Sequence, residues 1–219
     1  MPSKKYLKIM EKRNLARNED TRKKHKYYLI VCEGEKTEPN YFTSFSKELP
    51  KALVTVEIEG EGKNTLSLVE SAKEMEKKSL KTSTPYDKVW VVFDCDSFKA
   101  KGRFDNAIKS AKAAGLGCAW SNEAFELWYL LHFEYRNTAM SRANYKSSLS
   151  RHLGETYKKN DPDMYGKLIT HQVDAVKNSE LLLMTHRGMP ASRSNPATTV
   201  HLLVNELNEY LINPSNSGK

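Results

Sequence analysis

The chain has 219 residues and a mass of 25.0 kDa, is 39% hydrophobic and 28% charged, and has a mean hydropathy of -0.66. That length suits one elaborated domain or a domain with a small lobe, long enough to bury a core without disulfide staples, and the composition excludes wholesale disorder. Formal net charge is +8, unevenly placed: residues 1–26 carry ten Lys or Arg against three acids, and the rest of the chain carries 25 against 24. The longest apolar runs, 27–32 and 89–93, are too short to span a bilayer. No apolar stretch near the N-terminus reads as a secretory signal. Three widely spaced cysteines form neither a disulfide framework nor a zinc pattern, so a reducing cytoplasm is expected.

Residues 1–26 read as a basic arm. Its charge suits a polyanion, with Lys23, Lys24 and Lys26 as nucleic-acid contacts, through counterion release. A solvated leader and contact with an acidic partner remain open alternatives. Residues 27–33, YYLIVCE, predict a buried strand ending at Gly34. Pro39 predicts the first turn of a helix through about Lys47, with Glu38 at its mouth. A half-buried strand follows at 53–58. Asn64 or Thr65 then caps a helix whose expected core face is Leu66, Val69, Ala72 or Lys73, and Met75 or Glu76. Residues 88–93, KVWVVF, predict a strand, 104–114 a helix ended by Gly115, and 116–120 a fourth strand. Residues 122–133 are apolar nearly all round, which predicts a buried helix.

This alternation of strand and helix over 27–133 predicts an α/β core with a parallel sheet of about four strands. From 134 to 219 the pattern turns helical: 140–152, 163–186 after a polar turn at 160–162, and 197–211 with Val200, Leu203, Leu207 and Leu211 facing the core. Asn195, Pro196 and Thr198 predict the start of that last helix. Trp90, Trp120 and Trp128 fall in core elements, and Cys32 and Cys95 read as small core hydrophobes.

Two acidic clusters directly follow predicted strands: Glu33-Gly34-Glu35-Lys36-Thr37-Glu38 and Asp94-Cys95-Asp96. In an open parallel sheet, ligands bind outside the carboxyl ends of the strands. Asp94 and Asp96, two apart on an extended strand end, share a side. With Glu33 they can converge on a hard divalent cation, which takes oxygen ligands. The alternative is helix capping or plain strand ends. Glu126 and His132 are secondary candidates within the buried helix; Glu126 either reaches the acidic edge or pairs with a base to fix the helix, and His132 reads first as a packing histidine.

These residues resemble a known family. VCEGEKTEPNYF followed by FDCDSF has the layout of the topoisomerase–primase (Toprim) fold. SNEAFELWYLLHF and NPATTVHLLVNEL resemble the other two blocks of the RloB-like family, which includes the AbiLii abortive-infection component. The resemblance spans 27–211 and implies a Toprim-like core, a role in prokaryotic anti-phage defence, and a separately encoded ATPase partner. It also implies a Mg²⁺- or Mn²⁺-dependent nuclease acting on RNA, tRNA included, or on DNA. Glu33, Asp94 and Asp96 would then be catalytic and metal-binding, and Glu38 a further metal ligand. Position 37 is Thr where related nucleases often carry another acid, which weakens a second metal site. Lys36 stands ready for backbone phosphates. Two other readings stay open: a catalytically silent Toprim subunit of the ATPase, and a phosphatase resembling haloacid dehalogenases, in which Asp-x-Asp ends the first strand. The chain carries no Gly-x-x-x-x-Gly-Lys-Ser/Thr loop of its own. Self-association through the helical part is a further expectation.

Overall fold

The computed structural model describes residues 25–60, 62, 65–95 and 101–212. Lys23, Lys24 and the rest of the arm, Asn64, Asp96, and the tail from 213 lie outside the described residues.

The expected alternation forms. β1 (Lys26–Cys32) buries both faces, as its continuous apolar run requires. α1 (Thr37–Glu48) follows, with Pro39 in its first turn and Tyr41, Phe42 and Phe45 buried one turn apart. β2 (Val54–Gly60) is half buried, in keeping with its alternating sequence. α2 (Thr65–Ser79) buries Leu68, Val69 and Ala72. Leu66, expected on that face, is 38% exposed, because Leu68 takes the position nearest the sheet. β3 (Lys88–Asp94), α3 (Lys101–Ala113) and β4 (Gly117–Asn122) complete the repeat. α3 buries Phe104, Ala107, Ile108 and Ala111, a spacing of i, i+3, i+4 and i+7.

The sheet order is β2-β1-β3-β4-β5, five strands rather than about four. The first four are parallel. β5 (Ala197–Thr198) is antiparallel, pairing Ser121 with Thr198 and Asn122 with Ala197. Residues 196–198 were expected to open the last helix. Instead the two threonines dock on β4: the Trp120 amide donates to Thr199 Oγ1 at 2.9 Å, and the Thr198 and Thr199 hydroxyls donate to the Trp120 and Cys118 carbonyls at 3.1 and 3.2 Å. α8 (Val200–Ile212, the eighth helix after those given next) starts only there, its Val200 amide donating to Thr198 Oγ1 at 3.2 Å. Its buried face is Val200, Leu203, Val204, Leu207 and Tyr210. Leu211 is 37% exposed.

The helix expected over 122–133 is cut to α4 (Glu126–Leu130), followed by three residues of turn. Asn122 is taken by β4, residues 123–125 form the bend and turn that lead into the helix, and Leu127 to Leu130 are all buried. α5 (Arg142–Leu153) begins at a Ser141 cap and ends at Gly154, φ 69°. The helix expected over 163–186 breaks into α6 (Met164–Leu168), a 3₁₀ turn (Ile169–His171) and α7 (Gln172–Thr185). The break follows from packing. α6 sets Tyr165 against Phe45 and Tyr41 of α1, at 5.3 and 5.4 Å between ring centroids, while α7 buries Ala175, Ser179 and Leu182.

Two cores lie on opposite faces of the sheet. One joins Tyr28, Ile30, Cys32, Trp90 and Val92 to α1 and the helices from α4 onward. The other joins Leu29, Val31, Val89, Val91 and Phe93 to α2 and α3. The chain therefore leaves β1 over one face, crosses back past it over the other, and adds β3 on its far side. The crevice between the carboxyl ends of β1 and β3 is the point where the winding reverses, the favoured ligand position in such sheets. No described helix is long and apolar enough to cross a membrane.

Gly117 has a steric reason. A Cβ there would stand 2.2 and 2.4 Å from Cδ2 and Cε2 of the Trp90 ring on the paired strand. That ring is buried in the core. Gly117→Ala is expected to lower stability by about 1–3 kcal/mol, read as a fall in the thermal midpoint by circular dichroism. Gly102→Ala, where a Cβ meets nothing within 4 Å, serves as the neutral or stabilising control.

Candidate functional site

Glu33 and Asp94 end adjacent parallel strands and meet across the crevice. The Asp94 amide donates to Glu33 Oε2 at 3.1 Å, and the Thr65 hydroxyl at the start of α2 donates to Glu33 Oε1 at 3.3 Å. Glu38, in the first turn of α1, folds back over the 33–36 bend and is only 5% exposed. Gly34 makes that possible: a Cβ there would lie 2.2 Å from Glu38 Oε2. Glu126, the first residue of α4, completes a group of four acids and accepts the Tyr157 hydroxyl at 3.3 Å.

These carboxylates repel one another in a poorly hydrated place. Burial, then the charges of Glu126 and Glu33, push the Glu38 carboxyl up to about 7, against the pull of its own backbone amide and of Lys159. Asp94 is raised well above the ordinary carboxylate range by burial first, then by Glu38, Glu126 and Glu33, with Arg142 opposing. Arg142 Nη2 is 4.0 Å from Asp94 Oδ2. Among the described residues, Asp94 Oδ1 is buried without a hydrogen-bond partner. Burial and the Glu126 charge likewise raise the Tyr157 phenol.

The C-terminal helices roof this edge. Thr37, Asn40 and Ser44, on one stripe of α1, donate side-chain hydrogen bonds to the carbonyls of Lys159, Asn160 and Pro162 at 3.1, 3.3 and 3.2 Å. The 154–162 loop thereby brings Tyr157 and Lys159 to the acids, and the start of α5 brings Arg142. Sequence reasoning missed Arg142, Lys159, Tyr157 and Thr65. Only Tyr157, an aromatic inside the polar run GETYKKNDPD, carried a local signal.

Other expected residues stand elsewhere. Lys36 is exposed on the bend beside Glu38. Lys26 opens β1 at the opposite edge of the sheet, roughly 20 Å of strand from Glu33, and pairs with Asp87 at 2.8 Å. His132 lies in the turn after α4. Its Nδ1 hydrogen-bonds the Trp128 carbonyl at 2.9 Å, and its buried ring packs edge-on to Trp128. That is the packing role.

Among the described residues, no three His, Cys, Asp or Glu side chains enclose a metal-sized space. The donor set still fits a hard divalent cation: the acids are oxygen donors, their mutual repulsion is what a cation relieves, and Asp94 Oδ1 is orphaned. The family model described as RloB-like protein matches residues 28–207. No curated protein and no solved structure matches the chain.

Two outcomes are expected. An alanine Cβ at position 34 must push the Glu38 carboxylate, the free end of a flexible side chain, away from the bend. Gly34→Ala should therefore move the Glu38 titration, followed by carboxyl NMR without divalent cations, from about 7 toward the ordinary value near ~4.3. An unmoved titration contradicts the geometry. For His132, burial lowers the ring to about 4, whereas the unfolded chain titrates near ~6.5. The unfolded state alone takes up that proton between those values, so stability is full above pH ~6.5 and falls as pH drops toward ~4. Denaturant unfolding at pH 7, 6 and 5 should show this slope, up to about 1.4 kcal/mol per pH unit, reduced in His132→Gln.

Proposed function

Because the chain belongs to the RloB-like family, we propose that it is a Toprim-type nuclease that hydrolyses phosphodiester bonds of RNA or DNA with Mg²⁺ or Mn²⁺, acting in anti-phage defence beside a separately encoded ATPase. The observation that carries this reading is the gathering of Glu33, Glu38, Asp94 and Glu126, from four separate elements, at the reversal point of the sheet, with Asp94 Oδ1 unpartnered among the described residues. Glu33, Asp94 and Asp96 would hold the cation, with Glu38 beside them. When bound, it offsets the charge of the phosphodiester and polarises its oxygens.

The chain's own groups do the rest. The Asp94 amide and the Thr65 hydroxyl hold the Glu33 carboxylate in a set orientation, so Glu33 accepts the proton of the attacking water without searching rotamers. Arg142, half exposed at the rim, pairs with a non-bridging phosphate oxygen. Tyr157 fixes Glu126 against the cluster, and the 154–162 loop shields this edge from bulk water. Lys36 contacts a neighbouring phosphate.

Asp94→Asn and Glu126→Gln keep side-chain shape and remove one charge each. With circular dichroism unchanged, Mn²⁺-dependent cleavage of tRNA and plasmid DNA is expected to fall by about 100-fold for Asp94→Asn and by about 10-fold or more for Glu126→Gln. Cleavage at full rate by folded Asp94→Asn overturns the proposal. Calorimetry with Mn²⁺ separates it from a catalytically silent subunit, which need bind no metal.

A further inference from the structure

A second cleft, of about 680 Å³, opens on the other face of the sheet between α3 and the end of α7. None of Glu33, Glu38, Asp94 or Glu126 lines it. Helical spacing builds its two walls. Asp105, Ile108, Lys109 and Lys112 fall at i, i+3, i+4 and i+7 along α3, and Leu183, His186 and Arg187 at i, i+3 and i+4 along α7 and its end. The floor is apolar: Ile108 and Trp120 belong to the core beneath, with Leu183 packed on it, and Met189 is 57% exposed at the rim.

Around that floor the charge is positive. Lys109, Lys112 and Arg187 are exposed and make no ion pair among the described residues. Asp105, the acid of the described lining, is already engaged: its carboxylate accepts the Ser192 amide at 3.0 Å and the Ser192 hydroxyl at 2.6 Å. His186 adds a buried Nδ1 with no hydrogen-bond partner. Lys112 stands in the last turn of α3, where a cation complements the dipole, and Arg187 follows the His186 cap of α7, near that helix's carboxyl end. That accounts for one cation per helix. It does not account for a third, Lys109, beside an apolar floor of a size that fits a small organic ligand.

We propose that this cleft binds a nucleotide, its phosphate held by Lys109, Lys112 and Arg187 and its base seated on Ile108, Trp120, Leu183 and Met189. A planar base next to a polyanion is the chemistry that uses both halves of the lining. A free nucleoside phosphate and one unit of a nucleic-acid strand offer that chemistry equally.

The test is calorimetry on the full chain at low salt in EDTA, which takes divalent cations, and so the carboxylate site, out of the measurement. The probes are ATP, pyrophosphate and a short single-stranded oligonucleotide. Removing three exposed cations should weaken binding about tenfold or more, in the variant Lys109→Ala/Lys112→Ala/Arg187→Ala. Met189→Ala, which removes apolar surface without adding charge, should weaken ATP or the oligonucleotide and leave pyrophosphate unchanged. ATP binding lost in the triple variant identifies a free nucleotide; oligonucleotide binding alone lost there identifies a strand unit. Absence of binding, binding untouched by the triple variant, or pyrophosphate held as tightly as ATP overturns the proposal. None of these results bears on cleavage at the acidic edge.

Discussion

The pairing of β1 with β3 brings Glu33 alongside Asp94, and two amides tie the strand ends together, that of Asp94 donating to the Glu33 carboxylate and that of Glu33 to the Val92 carbonyl. Both strands are buried on both faces, so their carboxyl ends are fixed by sheet register and not by loop conformation. The side chains beyond the last ladder pairs inherit that precision. Everything else at the acidic edge is added to this pair: Glu38 by the first turn of α1, Glu126 by α4, and Thr65 by the start of α2.

Such a cluster opposes folding. Carboxylates drawn together under a roof of helices lose hydration and repel, as the raised Glu38 and Asp94 show. The surrounding structure outweighs that cost. Phe125, Trp128 and Tyr129 pack around Tyr41 at ring separations of 5.8 to 6.4 Å, and the α1 stripe of Thr37, Asn40 and Ser44 holds the 154–162 loop down. Strain concentrated at a rigid edge is the usual condition of a site built for a charged ligand. The opposite face is built differently. There, among the described residues, α2 and α3 cover the sheet with Leu183 and Ala191 packed beside them, and the gap left beside the end of α7 becomes a cleft of the opposite sign.

Local pattern carried much of the order of elements. The runs YYLIVC and KVWVVF are too apolar to be anything but buried strands, and Gly34 and Pro39 mark the bend and the helix start between them. Pattern failed where tertiary contacts competed with it. Thr198 and Thr199 follow Pro196 and precede an amphipathic run, so they resemble a helix start, yet β4 offers an open edge and their hydroxyls take it. Residues 122–133 lack any polar face, so periodicity could not say where that helix ends. Residues 163–186 are periodic throughout but serve two partners, α1 and α8, and must break between them.

Glu33, Glu38 and Asp94 were legible as acids after strands, because strand ends in a parallel sheet share an edge whatever the rest of the chain does. Lys26, read as part of the basic arm, opens β1, so strand direction sets it at the other end of that strand from those acids. Arg142, Tyr157 and Lys159 had no comparable signature. They come from more than a hundred residues downstream of β1, and only the packing of the C-terminal helices decides that they stand over its end. The sequence by itself therefore determined the layer pattern and the acids of the edge, since these follow from periodicity and chain direction. Tertiary structure alone decided which cations and phenols surround them, because nonlocal contacts leave no period to read.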